Sequence, residues 1–156
     1  MADLKDIIAY LLNAYPVKWE LSNARVTKMI YLADWHQAIK HDCQISHINW
    51  YFDNYGPFVW DIYNEVDANP TLFFRKETIN PFGQPKILLG IKNKNFVPQL
   101  TDAEKESLNH VIAETKQLDW DRFIRLIYST FPIISSERYS RLNLVEKART
   151  YNNQNA

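Results

Sequence analysis

The chain holds a single cysteine, Cys43, so no internal disulfide and no multi-cysteine zinc site can form. It holds only three glycines, Gly56, Gly83 and Gly90. That argues against a glycine-rich phosphate loop and against an all-β fold with many tight turns. Neither sign of charge is in excess: 18 basic residues balance 18 acidic ones. Nucleic-acid binding draws most of its affinity from neutralised phosphates and shows as a basic excess or stripe, so the balance argues against it. Lys86, Lys92 and Lys94 form one local basic run, which reads as a solvated strand edge guarded by lysines. No apolar run approaches the ~18 residues that cross a bilayer. Asp3 and Asp6 near the N-terminus are unlike a signal peptide. Together these absences point to a chain that works in a reducing cytoplasm without a membrane.

What is present is ordinary globular composition over 156 residues, rich in large rings, with 14% aromatics. That length suits one domain with one core, here residues 1–150, followed by a polar tail, 151–156, that is expected to fray. Ser22 to Val66 organises the rest, carrying Trp35, Trp50, Tyr51, Phe52, Tyr55, Phe58, Trp60 and Tyr63.

The spacing predicts about six helices and a small antiparallel sheet, an α+β domain. Asp3 caps a first helix whose stripe is Leu4, Ile7, Ile8, Leu11 and Leu12 and which Pro16 ends. Ser22 caps a second. It is apolar around much of its circumference through Val26, Met29, Ile30, Leu32, Ala33, Trp35 and Ile39, with Arg25 and Lys28 on the remaining face and His41–Asp42 at its end. Trp50–Asn54 reads as a strand. Asn54-Tyr55-Gly56-Pro57 reads as a turn, with Pro57 opening a third helix that stops before Pro70. Leu72–Ile79 and Ile87–Ile91 predict a hairpin that joins Trp50–Asn54 in a three-stranded sheet. Thr101 with Glu104 forms a capping box. Asp119 caps a helix ended by Pro132, and Asn143 with Glu146 reads as a further capping box that starts the last.

No catalytic or metal-binding constellation stands out. His36 and His41 lie five apart, on different helix faces, whereas helical metal pairs sit three or four apart. Cys43 has no partner set by spacing. Asp61 and Glu65 share a helix face, an arrangement that also describes a plain solvated acidic edge. The expectation is therefore no enzyme, no metal and no cofactor. The Tyr55-Gly56-Pro57 turn is the most specific local feature. It serves as a strand-to-helix reversal, as a corner that presents Tyr55, Phe58 and Trp60, residue types that anchor protein interfaces, or as both together.

Lys28-Met29-Ile30-Tyr31-Leu32-Ala33-Asp34-Trp35, then Ile45, then Tyr55-Gly56-Pro57-Phe58-Val59 with Ile62-Tyr63, resembles the Panacea, or SocA-like, antitoxin domain. Leu100–Glu104 and Leu126–Thr130 leading to Pro132 extend the likeness to roughly residues 4–150. The resemblance implies an antitoxin of bacterial or phage toxin–antitoxin pairs. Such domains neutralise unrelated toxins by direct protein contact, translation inhibitors such as small alarmone-synthetase-like enzymes among them. One branch is a proteolytic adaptor that delivers its toxin to a protease, and relatives also occur in phage-associated proteins outside clear toxin pairs. No enzymatic activity is established for the family. Many antitoxins also repress their own operon through a DNA-binding segment, and no basic patch for one is seen here. The expected mechanism is steric occlusion, with Tyr55, Phe58, Trp60 and Tyr63 as the leading contact residues. Lys28, Tyr31 and Asp34 are open to two roles, partner contact or internal bonding across the central helix. Nothing in the sequence sets an oligomeric state.

Overall fold

The computed structural model describes residues 1–156. Its elements in chain order are α1 (Leu4–Ala14), a 3-10 turn (Lys18–Glu20), α2 (Asn23–His41), β1 (Trp50–Asp53), β2 (Gly56–Pro57), α3 (Asp61–Ala68), β3 (Phe73–Ile79), β4 (Pro85–Ile91), α4 (Asp102–Thr115), α5 (Trp120–Ser129), α6 (Phe131–Ile134), β5 (Ser140–Leu142) and α7 (Leu144–Gln154). The α+β expectation holds, with seven helices rather than six.

Local chemistry sets most helix starts. The side chains of Ser22, Asp119 and Asn143 each accept the backbone N–H three residues on, and Thr101 and Glu104 close a full capping box. Asp3 occupies the cap position of α1 without a side-chain bond. Asp42 ends α2 in the left-handed conformation at φ 57°.

Helix α2 is the axis of the core, and α1, α3, α4, α7 and β4 all pack on it. Its polar positions are drawn inside as well, which corrects the reading that Arg25 and Lys28 lie on an outer face. Arg25 is buried because its guanidinium answers the C-terminal end of α4. Nη2 donates to the Thr115 carbonyl at 2.9 Å, to the Leu118 carbonyl at 2.9 Å and to the Tyr15 hydroxyl at 3.1 Å. The carbonyls at a helix end have no intrahelical partner, and a cation there also suits the dipole. The Phe123 ring lies 4.4 Å below the guanidinium carbon. On the next faces, Ser107 of α4 donates to Gln37 at 2.7 Å and meets His36 Nδ1 at 2.8 Å, which fixes α4 against α2.

The two sheets are separate. β1 lies between β2 and β5, with Phe52 opposite Pro57 on one side and Trp50 opposite Leu142 on the other. The β3–β4 hairpin forms a two-stranded sheet of its own, from Phe73 with Ile91 to Ile79 with Pro85, and its one outside bridge joins Leu88 to Ser22. The expected sheet of β1 with the hairpin is thereby corrected: both edges of β1 are already occupied. The hairpin docks at the entrance to α2 instead, where Leu89 donates its N–H to the Leu21 carbonyl at 2.8 Å. Within it, Gly90 faces Phe74, whose ring stands where a side chain at residue 90 would go.

Pro57 does not open a helix. It is the second residue of β2, and α3 begins only at Asp61. The chain reverses at Asn54-Tyr55 and runs back along β1, with Phe58 N–H donating to the Tyr51 carbonyl at 3.0 Å. Gly56 sits at φ 103°, a region costly for any residue with a Cβ. A Cβ there would meet its neighbours at ordinary contact distance, 3.6 Å or more, so the backbone angle alone sets the penalty. Gly56→Ala is expected to lower stability by about 1–2 kcal/mol in denaturant titration.

Pro132 falls in the first turn of α6 rather than ending α5, which stops at Ser129. α7 stays helical to Gln154, and the Tyr151 ring packs against Trp35 at 5.6 Å and Phe131 at 5.6 Å.

Candidate functional site: the aromatic corner and the Lys28 cleft

Lys28, Tyr31 and Asp34 recur every third residue, so α2 presents them on one stripe, toward β1 and α5. Each does different work. Asp34 is fully buried and collects five donors. They are the backbone N–H groups of Ile45 at 2.9 Å and Ser46 at 3.0 Å, the Trp50 indole at 2.8 Å, the Gln44 amide at 3.4 Å and the Ser46 hydroxyl. Burial pushes its carboxyl above the usual range, against the opposing pull of the Ser46, Trp50 and Ile45 hydrogen bonds. This clasp holds the loop entering β1 on the central helix. Tyr31 is buried too. Its hydroxyl donates to Thr130 Oγ1 at 2.8 Å, because Thr130 directs its own hydrogen to the Ile127 carbonyl. Its ring meets Trp50 edge-on at 5.6 Å, and burial raises its pKa well above the phenol range. Of the two roles open to these residues, Tyr31 and Asp34 take the internal one.

Lys28 differs. The residue is only 3% exposed, yet its ammonium forms no hydrogen bond and no ion pair with any side chain or carbonyl. It ends in a cleft of about 360 Å³ walled by Tyr55, Phe58, Trp120, Asp53 and Ala24. The Phe58 ring centre lies 5.6 Å from Nζ, and the stem runs beneath Gly56. Burial lowers its pKa to about 8, with Asp53 pulling weakly the other way. The sign of the pH effect follows. Between pH 8 and the unfolded value of 10.5, the unfolded chain holds a proton that the folded chain has lost, so stability rises with pH through that window. Below pH 8 the folded chain carries the charge and bears the cost of its partial desolvation. Lys28→Met, which keeps the stem and removes the charge, is expected to be about 1–3 kcal/mol more stable than the parent at pH 7. That advantage should shrink as pH approaches 10.5, as read by urea titration at both pH values.

From Phe58 an edge-to-face ladder runs outward, to Trp60 at 5.1 Å and on to Tyr63 at 5.7 Å. The Arg75 guanidinium closes its far end, 5.3 Å over Tyr63, and is held by Asp67 at 3.1 Å. Tyr55 is 75% exposed and Trp60 57% exposed, while Phe58 and Tyr63 are half-buried. Phe58 and Trp60 precede α3 instead of lying in it.

Two neighbours escape a reading of the sequence. Trp120, at the first position of α5, forms the opposite wall of the cleft. It stands three residues from the core Phe123, so its spacing looks like that of a buried residue. Tyr139 is exposed at φ 67°, and its hydroxyl donates to Asn54 at 3.0 Å. Only the chain return through β5 brings it there, and no local signal announces it. A second groove of about 600 Å³ shares Trp120 and Ala24 with the cleft and continues between Trp19 and Phe82 at the hairpin tip.

The remaining candidates stay apart. Cys43 is exposed, and Asp61 lies at the surface at the start of α3. His36 stacks at 4.2 Å on His110 of α4 rather than pairing with His41. No three His, Cys, Asp or Glu side chains gather into a metal-binding group, and no helix is long and apolar enough to cross a membrane.

In comparison with known proteins, the family described as "Antitoxin SocA-like, Panacea domain" matches residues 26–131. The match starts inside α2 and ends at the first residue of α6, narrower than the residues 4–150 suggested by resemblance, so α1, β5 and α7 lie outside it. No curated protein and no solved structure matches.

Proposed function

Because the chain belongs to the Panacea domain family of SocA-like antitoxins, we propose that it neutralises a cognate toxin protein by direct contact, through the corner formed by Tyr55, Phe58, Trp60 and Tyr63. The observation that carries this reading is the pair of exposed rings, Tyr55 and Trp60, backed by the half-buried Phe58 and Tyr63. Tyrosine and tryptophan supply large contact area at low entropic cost and dominate interface energetics. Here Tyr55 sits on a turn fixed from below by the Asp34 clasp and by the pairing of β1 on both sides, while Trp60 stands at the cap position of α3 and Tyr63 lies in its first turn. Such a surface enters an interface with little ordering left to do. The corner with the adjoining groove and hairpin tip offers room for a standard interface of about 1,600 Å². In this reading the chain blocks the toxin's working surface sterically and performs no chemistry of its own.

The test is co-expression with the product of the adjacent gene. That product is expected to arrest growth alone, to be harmless with this chain, and to co-purify with it at unchanged cellular level. Rescue accompanied by protease-dependent loss of the product would replace occlusion by delivery for degradation. A harmless product that forms no complex would remove the toxin reading.

A further inference from the structure

Lys28 occupies a position that costs stability and gives its ammonium no hydrogen-bond or ion-pair partner within the fold. The residue is almost wholly covered, yet its ammonium opens on the cleft between Tyr55, Phe58 and Trp120. Asp53 is the one opposing charge at the cleft, and it forms no ion pair with Lys28. Its carboxylate already accepts the Asn54 N–H at 2.8 Å, within the turn. The Phe58 face gives partial compensation only. An ammonium with unused donors that opens on an aromatic cleft is matched by a carboxylate, which forms short, charge-assisted hydrogen bonds. The aromatic walls suit the aliphatic stem that carries such a group. At about 360 Å³ the cleft lies at the small end of ligand-sized sites, room for one side chain rather than an extended molecule.

We propose that the Lys28 cleft is the specificity socket of the corner: it receives one acidic side chain, Asp or Glu, of the partner protein, with the carboxylate on Lys28 Nζ and the stem between Phe58, Tyr55 and Trp120. This rests on the reading of the corner as partner-facing. It adds a polar lock to an otherwise apolar contact, and a partner lacking the carboxylate leaves a buried cation unanswered and is rejected.

The first arm of the test needs no toxin. The intact chain is titrated with N-acetylglutamate amide and, as neutral control, N-acetylglutamine amide, following the Trp120 indole and the labelled Lys28 side chain by NMR. Saturable shifts at both groups are expected with the glutamate probe at millimolar concentration. The control should give none, and binding should weaken at least ~10-fold in Lys28→Met. No saturation, or an equal response to both probes, would overturn the socket. In the second arm, Lys28→Met is expected to weaken capture of the adjacent gene's product at least ~10-fold while the variant stays folded. Undiminished capture would overturn the assignment to a partner side chain even if the probe binds. Failure of that product to bind the parent chain refutes the toxin reading, and the socket's partner with it, a result separable from silence of the probe.

Discussion

Replacing Asp34 by alanine is expected to destabilise the protein by about 3–5 kcal/mol, more than the loss of any exposed ring at the corner. Two backbone N–H groups, an indole, an amide and a hydroxyl would lose their common acceptor at a site closed to solvent. Each orphaned buried donor costs about 1–3 kcal/mol, and the sum is softened by local relaxation. For a chain of this size the midpoint of thermal unfolding should fall by roughly 6–20 °C. Asp34→Asn keeps one carbonyl oxygen and turns an NH₂ toward the donors, so it should recover only part of the loss. A variant as stable as the parent would mean that the clasp does not hold the loop. The consequence reaches the corner, since Trp50 follows the clasped loop and opens β1, and β1 aims the turn that carries Tyr55.

Trp60→Ala is expected to act in the opposite way, on binding and not on folding. Trp60 is largely exposed and touches the fold through edge contacts to Phe58 and Tyr63. Its removal should cost at most about 1 kcal/mol of stability. At the centre of an interface, a tryptophan of this kind contributes about 2 kcal/mol or more, so affinity for the toxin should fall ~30-fold or further. Calorimetry of the complex beside a melting curve of the free variant separates the two. A large drop in melting temperature with affinity intact would return Trp60 to a structural role.

The elements that can be read from sequence are those whose cause is local. Ser22, Thr101 with Glu104, Asp119 and Asn143 each cap a helix with atoms three residues away, although Asn143 and Glu146 do not close the box expected of them. What escapes depends on partners far along the chain. Arg25 looks like a surface residue until the Thr115 and Leu118 carbonyls are placed beside it. β5 is three residues long and pairs with β1, a strand from the first half of the chain, so no periodicity marks it. Pro57 is ambiguous for a different reason. The same fixed φ and missing N–H suit the first turn of a helix and an edge strand alike, and β2 is an edge. The site divides in the same way. Tyr55 and Trp60 announce themselves by residue type beside a turn, whereas Trp120 and Tyr139 join them only through the tertiary fold.

The most direct test of the contact surface is amide hydrogen exchange of the chain, free and in complex with the adjacent gene's product. Added protection is expected from Asp53 to Tyr63 and around Trp120 and Tyr139, with the outer faces of α4 and α7 unchanged. Protection confined to α4 and α7, with the corner exchanging as in the free chain, would contradict it.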